Sequence, residues 1–342
     1  MTRSDTRRDR KKEHIEHYLK STYRNNTLFE HIYIEHCSLP ELDFGEVDTC
    51  TDFLGKTIGH PIMINAMTGG TNFSREINRE LSKIAKKHNI PMAVGSQTIA
   101  LEDGDSHKSF KIVRDTMGDN GVVLANLSGH ASIDEVKYAI EMIEADGIQI
   151  HLNPAQELTM REGDRKFKGI LNNVENIVSH IDRPVIVKEV GFGVSGDVAN
   201  RLYEVGVRYI DISGKGGTNF IEIEDKRNDK IDFSDIYCWG IPTALSLIQC
   251  RSISRDLKLI SSGGIRTSLD ILKSLVLGAD MVGIGGMILR KLIEDGYDAA
   301  DSYIEGLIYK LKILMLLTGS KDLDALKKVP YKVKGELKDL LV

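Results

Sequence analysis

From residue 62 onward, short runs of β-branched and other apolar residues recur at intervals of about 20 to 35 residues, each followed by a segment with helical spacing of its apolar positions. The runs are Ile62–Met67, Met92–Ser96, Val122–Leu127, Ile148–Asn153, Val185–Val190, Tyr209–Ser213, Leu259–Ser262 and Met281–Gly285. Eight strand–helix units in series predict a parallel sheet closed on itself, a (β/α)8 TIM barrel. An open doubly wound sheet is the alternative; it calls for a GxGxxG turn after the first strand, and the sequence has none there. Residues 1–60 precede the repeat without a Pro- or Ser-rich linker, so they read as an N-terminal extension to a barrel spanning 61–342. The longest apolar run, Ile313 to Leu317, is too short to span a bilayer and reads as the buried side of a C-terminal helix.

One connection breaks the rhythm. Between the sixth and seventh strands, Asn219 to Trp239 is long and charged, with Glu222, Glu224, Asp225, Lys226, Arg227, Asp229 and Lys230, and a mobile lid is expected there.

Composition narrows the partners. The 342 residues are 41% hydrophobic, with a formal charge of −5 and a pI near 6.1. A net basic surface for nucleic acid or anionic membrane is therefore not expected. Cys37, Cys50, Cys238 and Cys250 are far apart and lack metal-ligand or CxxC spacing, as expected of free thiols in a reducing cytoplasm. The first twenty residues are charged throughout and carry no apolar core of an export signal.

A barrel of this kind places its chemistry at the C-terminal ends of the strands. There the fourth strand alternates Ile148, Ile150 and Leu152 with Gln149, His151 and Asn153, and the sixth alternates Ile210 and Ile212 with Asp211 and Ser213. Period-two alternation turns one set toward the helices and the other toward the interior. Asn126 and Lys188 add polar groups on the third and fifth strands. Either they satisfy one another in the core or they converge as a site, and their gathering at one mouth favours a site. Two glycine loops are sharper. Ser261-Ser262-Gly263-Gly264-Ile265-Arg266 ends the seventh strand and Gly283-Ile284-Gly285-Gly286 ends the eighth. Glycines and helix N-termini at these two positions suit a phosphate group, although each loop alone could be a tight turn.

With these residues in view the chain resembles the type 2 isopentenyl diphosphate isomerases, FMN-dependent barrels that interconvert isopentenyl and dimethylallyl diphosphate. The resemblance runs almost end to end. It is carried by Arg10-Lys11-Lys12-Glu13-His14-Ile15, Leu39-Pro40-Glu41, Phe53-Leu54-Gly55-Lys56, Met67-Thr68-Gly69-Gly70, Val94-Gly95-Ser96-Gln97 and both glycine loops, and most specifically by Gln149-Ile150-His151-Leu152-Asn153-Pro154-Ala155-Gln156-Glu157. It implies a flavin on Ala66, Met67, Thr68 and Gly69, with Ser96, Asn126, Lys188, Ser213 and Thr218 around its ring and ribityl chain. The flavin phosphate would lie at Gly263, Gly264, Ile265 and Arg266 and at Gly285-Gly286. Lys188 could instead neutralise a barrel carboxylate such as Asp211.

For the substrate diphosphate, the resemblance implies Arg10 and Lys11, with Ser96, Gln97, Thr98, His151, Asn153 and Gln156, and Glu157 holding Mg2+. By composition alone Arg10-Lys11 is a solvated basic tail and Glu157 a surface carboxylate. The family moves a double bond without net redox change, with reduced flavin as the proposed acid/base. His151, Asn153 and Gln156 lie beside it, Gln156 as a positioning or relay group because an amide titrates poorly. NADPH would serve only to reduce the flavin. The resemblance also implies a homo-oligomer, tetramer or octamer, and leaves open whether the N-terminal segment closes its own barrel or a neighbour's.

Two rivals remain at this stage. An FMN-dependent 2-hydroxy-acid oxidase shares the glycine loops but carries a catalytic histidine in a Ser-x-His-Gly-Gly run. This chain has Ser213-Gly214-Lys215-Gly216-Gly217 there. A barrel that binds flavin or a phosphate without catalysis is the other, and the polar array is excessive for it.

Overall fold

The computed structural model describes all residues except 1, 2, 22, 24, 229 and 342, and the side chains of 3–8 are likewise outside the described set. Asp229 of the expected lid therefore lies outside the described residues. Eight strands close into a barrel: β1 Ile62–Ile64, β2 Met92–Ala93, β3 Val123–Ser128, β4 Gly147–Leu152, β5 Val185–Glu189, β6 Tyr209–Asp211, β7 Lys258–Ser262 and β8 Met281–Ile284. Neighbours in the ring follow chain order and every pairing is parallel. Val282 of β8 opposite Ile62 of β1 shuts the ring.

The strands form because their residues are buried on both faces, outward against helices and inward against one another. Several are shorter than the apolar runs. β1 stops at Ile64 instead of Met67 and β2 at Ala93 instead of Ser96. Beyond these points single bonds continue the ladder, Asn65 N–H to the Ile284 carbonyl at 2.8 Å and Val94 N–H to Leu124 at 3.0 Å, before the backbone splays into the loops of the mouth. Side-chain caps start the helices that follow: Thr71 accepts from Ser74 N–H, and Ser132 and Thr267 form capping boxes with Glu135 and Asp270.

The extension packs on both ends of the barrel. A hairpin of Thr51–Phe53 and Lys56–Ile58 puts Phe53 and Ile58 in one buried cluster with Met63, Ala93, Leu124, Ile186, Ile260 and Met281, which fills the barrel floor. Ile32–Ile34 pairs antiparallel with Tyr331–Val333, and Leu28, Phe29, Ile32 and Val47 join the outer core. Helix Arg3–Lys20 crosses the opposite, C-terminal mouth. Within the C-terminal apolar run Met315 is buried and Leu317 exposed. No helix among the described residues is long and apolar enough to cross a membrane.

The segment expected as a mobile lid is folded. It holds helix Phe220–Asp225 and a turn at Ser234–Ile236. Glu222 and Glu224 are 3% and 1% exposed beside buried Ile221 and Ile223. Glu222 accepts from Ser21 and from Lys226 (2.6 Å), and Glu224 pairs with His14 and Arg227. Part of the charge in this segment is therefore buried, and Glu224 and Arg227 tie it to His14 and Glu13 of the N-terminal helix.

Candidate active site

The strand ends surround a cavity of about 670 Å³, within the range of small-molecule and cofactor sites. Its floor is polar. Asn65, Asn126, His151, Lys188, Ser213 and Ser262 come from six different strands or the residues just beyond them. One side is built from the glycine loops and the start of helix Gly286–Asp295, whose N-cap is Gly285 with no side-chain cap. The other side is built from Asn153, Gln156 and Glu157 at the start of helix Pro154–Thr159 and from Arg10, Lys11 and His14 on the crossing helix.

The glycine side is shaped by backbone contact. Gly263 and Gly264 have φ of +96° and +83°, which glycine adopts without strain. A Cβ on Gly264 would also run into the backbone of Gly216 and come within 2.6 Å of Thr27 Cγ2. The loops after β6 and β7 therefore interlock main chain against main chain, with the Arg266 guanidinium donating to the Gly216 carbonyl at 2.7 Å. Tight packing of one loop on the other is therefore one cause of these glycines.

On the floor, the Lys188 ammonium lies 3.2 Å from Asp211 and donates to the Glu189 carbonyl at 2.9 Å. It lines the cavity and pairs with a barrel carboxylate at once. Ser213 stands at φ +34°, a conformation that costs a non-glycine residue. Its carbonyl accepts from Gly191 and Gly193 N–H at 3.1 and 3.0 Å. Those two N–H groups, with that of Phe192, also converge on Oε2 of Glu189 at 2.7, 3.2 and 2.5 Å. Burial pushes the Glu189 carboxyl up to about 7 even though these N–H groups pull it down. Burial, with the positive charges of Lys188, His130 and Lys11, pushes the His151 imidazole down to about 4.

On the far wall, Asn153 Nδ2 donates to Glu157 Oε1 at 2.8 Å and lies 3.3 Å from Gln156 Oε1, and Gln156 Nε2 donates to Glu224 Oε1 at 3.2 Å. Burial alone would raise Glu224, but the His14 hydrogen bond and the charges of His14 and Arg227 hold it at about 2. Arg10 lies against Met160 and 3.6 Å from Glu162, and the Lys11 ammonium donates to the Ser96 carbonyl at 2.9 Å.

Three expected residues are not on the cavity wall. Gln97 is fully buried, its Nε2 donating to the Ala139 carbonyl at 3.0 Å and its Oε1 accepting Asn126 N–H at 2.9 Å. Ser96 and Thr98 on either side of it do line the cavity. Thr68 is buried against Ser74 at 2.8 Å, and Gly69 faces the Phe110 ring, 2.5 Å from its Cζ had it a Cβ. Arg10, Lys11, Ala66, Met67, Asn126, His151, Asn153, Gln156, Glu157, Lys188, Ser213, Thr218, Gly263, Gly264, Ile265, Arg266, Gly285 and Gly286 all line it. Sequence reasoning missed Asn65, Tyr18 and Glu224; for Asn65 the only signal was its place two residues before Met67 at a strand end.

Comparison with known proteins shows the family. A profile described as FMN-dependent dehydrogenase matches residues 151–331. An isopentenyl-diphosphate delta-isomerase of Geobacillus sp. strain WCH70 is 46% identical over 97% of this chain and 95% of its own. The chain belongs to the type 2, FMN-dependent isopentenyl-diphosphate delta-isomerases. The same identity and coverage hold for the Bacillus licheniformis member. A mandelate oxidase variant bound to (S)-mandelic acid superposes with a TM-score of 0.69 over 94% of both chains at 17% identity, a likeness of fold alone. Lys215 donates to the Cys238 carbonyl at 3.0 Å and is not among the cavity-lining residues.

Proposed function

We propose that this isomerase interconverts isopentenyl and dimethylallyl diphosphate with reduced FMN, and that its cavity holds two phosphate groups on opposite sides. The observation that carries this reading is the pairing of two anion-suited walls around one polar floor. One is the glycine side, where the N-terminus of helix Gly286–Asp295 carries no side-chain cap and Arg266 lines the same cavity. The other is the group Arg10, Lys11, Asn153 and Gln156.

The donor set suits FMN. Backbone at Gly263–Arg266 and Gly285–Gly286 would take the phosphate, Ala66 and Met67 the ring face, and Asn126, Lys188, Ser213 and Thr218 the polar edge. When bound, reduced FMN supplies a ring nitrogen able to give and to take a proton. The protein's own part is placement. Arg10 and Lys11 neutralise the diphosphate, Gln156 is oriented by Asn153 and Glu224, and the crossing helix limits water at the mouth.

Glu157 suits Mg2+ as a single carboxylate. Among the described residues no cluster of three or more His, Cys, Asp or Glu could hold a metal alone, so the substrate's phosphate oxygens would complete the shell. NADPH would reduce the flavin at the same mouth. A cytoplasmic homo-oligomer, tetramer or octamer, completes the reading.

The test is direct. Purified protein should be yellow with FMN and, reduced anaerobically with NADPH and supplied with Mg2+, should convert isopentenyl to dimethylallyl diphosphate. Colourless protein that takes up no FMN, or yellow protein that turns over a 2-hydroxy acid instead, would overturn it.

A further inference from the structure

The barrel interior holds a file of side chains whose hydrogen bonds point one way. It starts at Asp211, which is fully buried at the end of β6. Four donors surround its carboxylate: Asn65 Nδ2 (2.7 Å) and Lys188 Nζ (3.2 Å) on Oδ2, and the Ser262 hydroxyl (2.5 Å) and Ser213 N–H (3.3 Å) on Oδ1. A carboxylate so placed only accepts.

Asn65 must therefore turn its NH2 toward Asp211 and its oxygen away. A second anchor fixes the same orientation, since Ala66 N–H, which can only donate, bonds Asn65 Oδ1 at 2.9 Å. That oxygen also accepts from Gln149 Nε2 at 3.0 Å. The oxygen of Gln149 in turn accepts from Asn126 Nδ2 at 3.0 Å, and Asn126 Oδ1 faces His151 Nδ1 at 3.0 Å. Asn65, Gln149 and Asn126 are 4%, 0% and 3% exposed, so each amide is committed to its neighbours, where reversal would set like groups against each other. The last link then closes only with a hydrogen on Nδ1 of His151.

We infer that Asp211 and the Ala66 N–H together position His151: through Asn65, Gln149 and Asn126 they select the Nδ1–H tautomer and leave Nε2 as an acceptor. This deepens the reading of His151 as a substrate contact and rests on that reading for its consequence. A neutral ring with a bare Nε2 takes a hydrogen bond from a donor, such as a cation-bound water or a protonated phosphate oxygen. It does not donate to an unprotonated one.

The experiment is 15N-histidine NMR on the full, FMN-loaded chain without substrate, with His151→Gln used to assign the resonance. Wild type should show a protonated-type shift at Nδ1 and an unprotonated-type shift at Nε2. Gln149→Met breaks the file at its middle link, beyond both anchors, and should lose the single tautomer. Gln149→Glu, whose oxygen still accepts from Asn126, should keep it. An Nε2–H tautomer in wild type, or an unchanged single tautomer in the broken file, would overturn the inference. Because no substrate is present, a failure of isomerase activity bears on the functional reading and a wrong tautomer bears on this one.

Discussion

His14, on the helix that crosses the barrel mouth, lies 2.8 Å from Oε1 of Glu224 on the wall between β6 and β7. Glu224 is 1% exposed, so the bond ties a surface helix to a buried carboxylate. Arg10 and Lys11 ride on the same helix one turn earlier. His14→Ala should weaken that docking. We expect a stability loss of about 1–2 kcal/mol by urea denaturation, faster cleavage after the helix in limited proteolysis, and a KM for isopentenyl diphosphate raised several-fold. An unchanged KM would separate the helix from substrate binding.

Glu157 accepts Asn153 Nδ2 on one oxygen and Asp164 N–H on the other, both at 2.8 Å. Glu157→Gln keeps the size but replaces one acceptor with an NH2 and removes the charge a divalent cation needs. Turnover should fall at least about tenfold, roughly 1.4 kcal/mol, and the Mg2+ concentration for half-maximal rate should rise, while the FMN absorbance stays as in wild type. Loss of flavin in this variant would put Glu157 on the wrong side of the cavity.

The barrel was legible because Ile62, Ile64, Ile148, Ile150 and Ile210 are buried along their strands, a requirement that leaves its mark on local sequence. The glycine loops were legible as well, but half of their cause was not: Gly264 is needed against Gly216, 48 positions away in the chain, as much as for any ligand. What could not be read were pairings across the barrel. The burial of Glu222 and Glu224 rests on partners at Ser21, His14 and Gln156 as well as on nearby Lys226 and Arg227, and the file from Asp211 to His151 joins four separate strands or strand ends. Nor does a motif say which way a short helix turns, and the 3-10 segment Gln97–Leu101 turns Gln97 inward between two cavity residues.

That inward turn makes its own prediction. With Gln97 bonded to the Ala139 carbonyl and to Asn126 N–H, Gln97→Ala leaves two buried backbone groups without partners. Stability should fall by about 2–3 kcal/mol in chemical denaturation, while KM for the diphosphate substrate stays within about twofold. A large rise in KM in a stable variant would return Gln97 to the substrate.

Glu189 gives the molecule a pH signature of a sign opposite to ordinary carboxylates. Its folded-state pKa is raised to about 7 from 4.5, chiefly by burial, so between those values the folded protein binds a proton that the unfolded chain does not. The contribution is fully present below pH 4.5 and is lost as pH rises through 7. Glu189→Gln removes this titration while offering one oxygen to the N–H groups of Gly191, Phe192 and Gly193. The stability difference between wild type and variant, followed by urea denaturation from pH 5 to pH 8, should therefore shift by on the order of 3 kcal/mol toward the variant as pH rises. Other titrating groups cancel in that difference. A flat difference would mean that Glu189 ionises with its nest of N–H groups as readily as a carboxylate in water. A shift toward the wild type would mean that the nest outweighs burial.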